Sequence, residues 1–505
     1  MRRDRTEPLD QLRRRVPMND QTLPKLGSWT LRSLVLGSIA VGCGSSGQGK
    51  PVAPVDTVGT AVLTDTNPDP NIVEVELVAA PGVTEYLTGK QTDVWAYRDG
   101  AIAGSVGTVP GPRLEAKRGD QVIVHFKNEL PETTTVHWHG LRVPNKADGS
   151  QSSQAPVAPG GTFDYRFQVT DSGTFWFHPH VRGFDQVERG LYAALIVAAD
   201  NAPAGQDDLD VTADRTFIVD DVKVTAEGAL AFDGDKLDMM VGKQGNVLLL
   251  NGKRDGTIAV DSGGRERWRF VNAANGRYFN LRVAGHPFVV VGSDGGLLPR
   301  SFTTDTLLIA PGERYEVIVA FDDAPGAHAT LETIHYDRGH DLPDQGPRPL
   351  AEIVVGPHVE RVLRPLPTTL RTIAPLAVTA GTVVKRFTLQ EDENGAADGP
   401  TFSINDQMWP NNPPLMVKQG DLEIWEIVST KEMDHPFHLH GMFFQVLGDD
   451  GKPDLGRGWK DTINVKRGQT TRVAVRYEPL GMWMFHCHIL EHAERGMMGD
   501  LMVMP

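Results

Sequence analysis

One pattern of glycine, aspartate and histidine occurs near the start and again near the end of the chain. Gly119-Asp120 precedes His137-Trp138-His139 by the same interval that separates Gly420-Asp421 from His438-Leu439-His440. Further along, Gly173 and Gly481 each precede a second pair of histidines by five residues. These later pairs are His178-Pro179-His180 and His486-Cys487-His488. Such matched intervals indicate that the chain is built from related structural units.

A third, degenerate copy of the pattern lies between the other two. Gly263-Gly264 opens it, and Pro311-Gly312-Glu313-Arg314 opens its later strand. Ungapped counting from Gly264 places Leu281 and Val283 where a histidine pair would fall. We therefore expect the middle unit to keep the strands and to lack metal ligands.

Short β-branched runs with period-2 alternation follow one another along most of the chain. In one of them Val122, Val124 and Phe126 alternate with their neighbours, and runs near residues 165 and 315 do the same. Strands at this spacing, separated by Gly, Pro, Asn and Asp clusters, predict an all-β fold of β-sandwiches. A length of 505 residues suits about three domains. We predict domains over 71–200, 205–358 and 372–505, with a proline-rich linker over 357–375.

Charge and cysteine content exclude several classes of protein. The net charge of −15 argues against a nucleic-acid partner, because binding phosphates needs a basic surface. An acidic chain can still attract cations. Two cysteines, Cys43 and Cys487, exclude a scaffold held by several disulfides and any metal site built from cysteine alone.

The N-terminal segment resembles an export signal. A short apolar run over 34–41 follows Lys25 and Arg32 and ends at Gly42-Cys43, and it is too short to span a bilayer as a helix. Ala40-Val41-Gly42-Cys43 resembles a bacterial lipobox, so 1–43 is predicted to be a lipoprotein-type signal, with translation starting either at Met1 or at Met18. Residues 44–70 are predicted to be a flexible tether. We expect an exported protein, periplasmic or at the cell surface, with a lipid anchor on Cys43.

Ten of the sixteen histidines lie in four clusters. Residues i and i+2 of a strand point to one face, so each His-X-His presents two imidazoles in one direction. Neutral imidazole binds copper, zinc, iron or nickel, and a thiolate among imidazoles narrows the choice towards copper. Four clusters placed by one repeat therefore indicate metal sites, whereas the other six histidines are expected to be structural or on the surface. The clusters are His137/His139, His178/His180, His435/His438/His440 and His486/His488/His492.

Cys487 is the residue that most sharply defines the chemistry. It lies between His486 and His488, so strand pleating directs its sulfur away from both imidazoles. One strand can thus serve two metal centres on its two sides and connect them through covalent bonds. Together with His435, Cys487 and the following His492 and Met497 form the His₂Cys set with a weak axial Met that is typical of blue-copper sites.

These motifs resemble those of the three-domain multicopper oxidases, over about 430 residues. The resemblance implies three consecutive cupredoxin-like Greek-key sandwiches and four copper ions. It places a type 1 copper at His435, Cys487, His492 and Met497, and a type 2 copper at His137 and His438. It places a type 3 pair at His139, His178, His180, His440, His486 and His488.

The same resemblance implies an oxidase that transfers four electrons, one at a time, through Cys487 to His486 and His488. Dioxygen is then reduced to two waters, and the reductant is a phenol or aryl amine, as in laccases. Oxidation of Cu(I), Fe(II) or Mn(II) is the alternative, although the methionines are scattered rather than grouped as in cuprous specialists. A non-enzymatic scaffold is disfavoured because every ligand position is intact. We expect a monomer whose partners are dioxygen, the reductant and, through the lipid, a membrane.

Acidic residues are expected to carry protons to dioxygen. Asp148, nine residues after His139, matches the acidic residue that family members place near the type 2 copper. Several bacterial relatives carry Glu directly after the last type 1 histidine, where this chain has Ala493. Either Glu494 takes over that role, with Glu491 as a neighbour, or Asp148 acts alone.

Overall fold

The computed structural model describes residues 54–199, 209–232, 235–429 and 432–505. The predicted export signal, with Met18 and Cys43, lies outside these residues. The helices in the described ranges are too short to cross a membrane. Of the predicted tether, residues 54–70 are described and are taken up below.

The first sandwich consists of two four-stranded sheets with the orders β2-β1-β4-β6 and β3-β8-β7-β5. Its strands are β1 (Ile72–Leu87), β2 (Lys90–Asp99), β3 (Leu114–Lys117), β4 (Gln121–Asn128), β5 (His137–His139), β6 (Thr162–Gln168), β7 (Gly173–His178) and β8 (Ala193–Ala198).

The second sandwich pairs a six-stranded sheet, β10-β9-β12-β17-β14-β15, with a five-stranded sheet, β11-β19-β18-β13-β16. Its strands are β9 (Ala213–Val222), β10 (Val247–Leu250), β11 (Gly256–Ser262), β12 (Gly264–Asn272), β13 (Phe279–Val283), β14 (Phe288–Ser293), β15 (Gly296–Thr304), β16 (Leu307–Ile309), β17 (Arg314–Phe321), β18 (His328–Ile334) and β19 (Arg348–His358).

The third sandwich has two five-stranded sheets, β21-β20-β23-β27-β25 and β22-β29-β28-β24-β26. Its strands are β20 (Val383–Ala396), β21 (Gly399–Ile404), β22 (Leu415–Lys418), β23 (Leu422–Ser429), β24 (His435–Leu439), β25 (Phe444–Val446), β26 (Thr462–Val465), β27 (Thr470–Arg476), β28 (Gly481–Cys487) and β29 (Met498–Met504). Three short α-helices also occur in the described ranges, namely α1 (Gly183–Glu188), α2 (Lys236–Val241) and α3 (Leu490–Glu494).

Strand pairing shows that the three sandwiches share one topology. In each, the first strand pairs in parallel with a later one, as β1 with β4, β9 with β12 and β20 with β23. A parallel pair requires a crossover connection, so these sheets are not simple meanders. The prediction of an all-β chain of three consecutive Greek-key sandwiches is confirmed, whereas the exact domain boundaries stay predictions.

The period-2 apolar pattern accounts for the cores. In β4 the side chains of Val122, Val124 and Phe126 are buried in the first core, against residues such as Phe175 of the facing sheet. In the middle sandwich Leu281 and Val283 are likewise core residues. The positions that the repeat assigns to a histidine pair thus serve packing there.

Residues 54–70 differ from the expected flexible tether. Val58 is buried in the core of the second sandwich, and the Thr57 amide donates to the Thr257 carbonyl. Leu63 is buried in the first core and exchanges backbone hydrogen bonds with the Arg113 segment. The apolar residues of this stretch, which a composition argument overlooks, therefore hold it against two sandwiches.

Candidate metal centres

Two pairs of antiparallel strands bring eight histidines together. β5 pairs with β7 so that His137 is opposite His178, and β24 pairs with β28 so that His438 is opposite His486. The two strand pairs face each other across the boundary between the first and third sandwiches. There the His137 ring stacks on His440 at 3.9 Å between centroids, and the His139 ring stacks on His438 at 3.7 Å.

Main-chain carbonyls fix the tautomers of several of these rings. His137 Nδ1 donates to the Asp148 carbonyl at 2.8 Å, and His438 Nδ1 donates to the Asp461 carbonyl at 3.0 Å. A ring that donates from Nδ1 presents a lone pair at Nε2, the form that binds metals. The Nε2 atoms of both rings are buried and have no hydrogen-bond partner among the described residues.

Three of the other six imidazoles have their donor nitrogens close together. His440 Nε2 and His180 Nε2 lie 3.1 Å and 3.4 Å from His486 Nε2, close enough for one ion to bind all three. His178 Nε2, His139 Nδ1 and both nitrogens of His488 are buried without a hydrogen-bond partner among the described residues. Several buried imidazole nitrogens without hydrogen-bond partners are costly in a packed interior. A bound metal ion would give each of them a partner.

Burial keeps these rings neutral. It lowers the pKa of His139, His178, His440, His486 and His488 well below the usual value, and that of His180 to about 3. Neutral imidazole is the ligand form. The neutral rings therefore fit metal ions. We call the eight residues the eight-histidine cluster, which consists of His137, His139, His178, His180, His438, His440, His486 and His488.

A second group lies on the other side of β28. Cys487 Sγ is 3.6 Å from His435 Nδ1 and 3.7 Å from His492 Nδ1, and the two nitrogens are 3.3 Å apart. All three side chains are fully buried. Burial raises the pKa of the Cys487 thiol far above its usual range, so a thiolate here needs a bound cation to offset its charge. Two imidazoles and one thiolate at these distances match the donor set of a blue-copper site.

The Nε2 atoms of the two ligand histidines are held by acceptors. His492 Nε2 donates to the Met240 carbonyl of α2 at 3.0 Å, and the His492 ring stacks on Phe402. His435 Nε2 donates to Glu391 at 2.8 Å, and the other oxygen of Glu391 contacts His340 at 2.9 Å. Sequence reasoning missed Glu391 and Met240 because both come from strands and helices without a metal motif. Met497 is buried in the same core cluster as Cys487, and its carbonyl accepts from the Cys487 amide.

Two aspartates hold the eight-histidine cluster symmetrically. Asp148 accepts from His440 Nδ1 at 3.1 Å, so it contacts a histidine of the third sandwich while its carbonyl holds His137 of the first. The carboxylate of Asp461 lies 3.3 Å from His139 Nε2 of the first sandwich, while its carbonyl holds His438 of the third. The histidines offset the burial of Asp148 and hold its pKa well below the usual range. Asp461 was missed because its distance along the chain from His438 differs from that between His137 and Asp148, which hides the match from ungapped counting.

The middle sandwich contributes a wall to the cluster although it supplies no ligand group among the described residues. Gly312 has a φ of 83°, and a Cβ there would be 2.8 Å from the His488 ring. Arg314 is fully buried and donates to both oxygens of Asp461, at 2.7 and 2.5 Å. The Pro311-Gly312-Glu313-Arg314 motif therefore does more than open a strand, because it closes one side of the site and holds Asp461.

The two acidic residues considered beside Ala493 are hydrogen-bonded to other parts of the chain. Glu494 accepts from the Gly183 amide at 2.7 Å, and Glu491 accepts from Asn275 at 2.9 Å. Burial raises the pKa of both carboxyls. Neither has a hydrogen bond to a described histidine, in contrast to Asp148.

Comparison with known proteins agrees with this geometry. Three family models, each described as multicopper oxidase, match residues 89–202, 221–344 and 379–505. The chain is 31% identical over 445 residues to "Multicopper oxidase mco" of Staphylococcus aureus, covering 85% of this chain and 88% of that protein. It is 27% identical over 481 residues to "Laccase" of Bacillus subtilis, covering 81% and 89%.

A solved structure gives the same result. "Multicopper oxidase from Campylobacter jejuni: a metallo-oxidase" superimposes with a TM-score of 0.76 at 30% identity, covering 88% of this chain and 94% of that one. The matches span all three sandwiches, and the two candidate metal centres have the donors that copper requires. The chain therefore belongs to the multicopper oxidase family and is a copper-dependent oxidoreductase.

Proposed function

We propose that this protein oxidises a reductant one electron at a time beside Cys487 and passes four electrons to dioxygen at the eight-histidine cluster, forming water. One observation supports this assignment above the others. A single strand, β28, and the residue after it place Cys487 in one buried donor group and His486 and His488 in the other. Electrons thus have a covalent route of a few bonds between the two centres.

The donor geometry suggests how four copper ions would be held. The type 1 ion would bind His435, Cys487 and His492, with Met497 as a further ligand. The type 2 ion would bind the free Nε2 atoms of His137 and His438. The type 3 pair would bind His180, His440 and His486 on one side and His139, His178 and His488 on the other. Copper bound in these sites supplies the one-electron redox chemistry and the reduction of dioxygen.

The protein's own residues orient the donors and deliver protons. Carbonyl and carboxylate acceptors fix each ring, so that the metal-binding nitrogens are preorganised. Burial of the whole cluster keeps bulk water away from it. Asp148 contacts rings from both sandwiches, and its ionised carboxylate is placed to pass protons to the cluster. We propose Asp148 as the main proton relay, with Glu494 in a secondary position.

Asp148→Asn should separate proton delivery from copper binding. The backbone carbonyl that holds His137 is unchanged, so copper content should stay at the wild-type level. Loss of a positioned acid–base group typically costs about 10²- to 10⁴-fold in rate, so kcat should fall by about that amount. Copper analysis and steady-state oxygen consumption measure the two effects. Asp164→Asn, on the surface of the same sandwich, is the control, and an unchanged kcat in Asp148→Asn would refute the relay.

A phenol or aryl amine is the reductant that we propose first, and the tyrosines Tyr278 and Tyr336 near the Cys487 centre are compatible with an aromatic substrate. One observation favours a second candidate, the oxidation of Cu(I), Fe(II) or Mn(II). His492 is fully buried, and α2 covers its Nε2 atom. An aromatic ring cannot contact this ligand directly unless α2 moves, whereas a small ion needs less space.

Kinetics on one copper-loaded preparation distinguish these candidates. We would compare kcat/KM for a phenol, Cu(I), Fe(II) and Mn(II) in the wild type and in a variant whose α2 residues 236–241 are replaced by a Gly-Ser linker. A phenol oxidase should already prefer the phenol in the wild type. A metallo-oxidase should prefer a metal ion in the wild type and gain phenol activity only in the linker variant.

A further inference from the structure

A pocket of about 60 Å³ opens between the loop that follows β18 and the segment that precedes β13. Three arginines line it, Arg277, Arg338 and Arg348, together with His335. No acidic side chain is among the described residues that line it. A basic pocket is unexpected in a chain whose net charge is −15, and it selects for anions.

Arg338 is the most unusual residue of this pocket. Its side chain is almost fully buried and lies over the Tyr278 ring at 5.5 Å, but it forms no ion pair with a carboxylate of a described residue. Its Nη1 atom has no hydrogen-bond partner among the described residues. Nη2 is 2.8 Å from the Gln244 amide when that amide is turned with its oxygen towards the guanidinium. A buried guanidinium without a carboxylate partner is costly, so a bound anion would lower the free energy of burying Arg338.

The charges around Arg338 are only partly neutralised. Arg277 donates to Asp221 at 2.5 Å and is compensated by it. Arg348 donates only to uncharged acceptors, Gln345 and the Asn246 carbonyl. Burial lowers the pKa of Arg338 to about 10, which leaves it charged at neutral pH. Asp344, at the pocket's edge, faces His335 at 3.6 Å. Arg338 and Arg348 are therefore the two guanidinium groups of the pocket that form no ion pair with a described residue.

The pocket is joined to the Cys487 centre by aromatic side chains. Tyr278 and Tyr336 stack at 5.7 Å, and both line the pocket. Tyr336 donates to Asp434, the residue before His435, and the Asp434 amide donates to the Arg338 carbonyl. Tyr278 lies in the same buried cluster as Cys487. A molecule bound here thus contacts side chains that belong to, or are hydrogen-bonded next to, the proposed site of electron entry.

We propose that this pocket binds the carboxylate of an aromatic reductant through Arg338 and Arg348, which makes phenolic acids the preferred substrate class. The pocket is large enough for a carboxylate or a few water molecules but not for a whole ring, so the ring lies at its mouth. Guanidinium groups bind carboxylates in a planar, paired geometry. This inference rests on the proposed function, because it names the reductant of the same oxidase. A free inorganic anion shares the chemistry and is distinguished by the test.

The test compares two phenols that differ in one charge, 4-hydroxy-3-methoxybenzoate and its methyl ester, on the copper-loaded protein. Hydrogen bonds to charged groups are strong enough that KM for the acid should be about ten- to a hundredfold below that for the ester. Arg338→Gln should abolish this difference, and Arg348→Gln, at a partly exposed position, should reduce it without a folding defect. Arg282→Gln, which removes an arginine bound to Glu332 outside the pocket, should leave the difference intact.

Calorimetry with benzoate and with inorganic phosphate provides the second arm. Benzoate should bind the wild type and bind at least tenfold more weakly to both pocket variants. Equal KM values for acid and ester in the wild type would overturn the proposal, and so would binding of phosphate without binding of benzoate. A protein that binds benzoate but consumes no dioxygen with any reductant would instead overturn the proposed function, so the two failures are distinguishable.

Discussion

Cys487→Ser should abolish both the blue colour of the copper-loaded protein and its turnover with any reductant. Cys487 is the one cysteine in the described part of the chain, and its sulfur lies 3.6 Å and 3.7 Å from His435 and His492. It is also the start of the proposed covalent route to His486 and His488. A serine hydroxyl preserves the shape of the side chain but offers copper no soft donor. We expect oxygen consumption to fall to the level of the copper-free protein.

The eight-histidine cluster should survive this substitution. All of its ligands remain, so it should keep its copper and, once reduced chemically under anaerobic conditions, should still consume dioxygen in a single reoxidation. Met497→Leu is the matched control, because it alters the axial position and should retain the colour and turnover with a changed reduction potential. If Cys487→Ser stayed blue, the assignment of Cys487 would be wrong.

Arg314→Met should destabilise the protein even without copper. The substitution removes the paired hydrogen bonds to Asp461 and leaves the buried carboxylates of Asp461 and Asp294 with less compensation. Breaking a buried pair in this way typically costs about 3–5 kcal/mol. Denaturant unfolding of the metal-free protein should show that loss as an earlier midpoint.

The same substitution should also weaken the copper site that His438 helps to form. Asp461 contacts both His139 and His438, so an unrestrained Asp461 disturbs the ring orientations. We expect less copper per protein molecule and a weakened type 2 signal in electron paramagnetic resonance. Arg282→Met, whose partly exposed pair with Glu332 is worth little, is the control. An unfolding midpoint and copper content equal to those of the wild type would contradict the role of Arg314.

Sequence reasoning predicted those parts of the fold and of the site that a local sequence pattern determines. Alternating apolar residues such as Val122 and Val124 determine which face of a strand is buried. The His-X-His spacing determines that two rings share a face, and the position of Cys487 between His486 and His488 determines that its sulfur points the other way.

The parts that sequence reasoning missed come from contacts between distant segments. Arg314 contacts Asp461 from another sandwich, and Met240 covers His492 from a helix far away along the chain. Arg338 carries no motif, and it becomes unusual only because the folded chain buries it without a carboxylate. The packing of residues 54–70 was missed for the same reason, since the strands that they contact lie far away along the chain.

The most direct test of the proposed coupling between the two centres is the ratio of reductant oxidised to dioxygen consumed. A one-electron donor of known concentration is added to the copper-loaded protein in a sealed oxygen electrode, and hydrogen peroxide is assayed at the end. Transfer through Cys487 to the eight-histidine cluster predicts four equivalents of donor per dioxygen and no peroxide. Two equivalents per dioxygen, with peroxide accumulating, would contradict it.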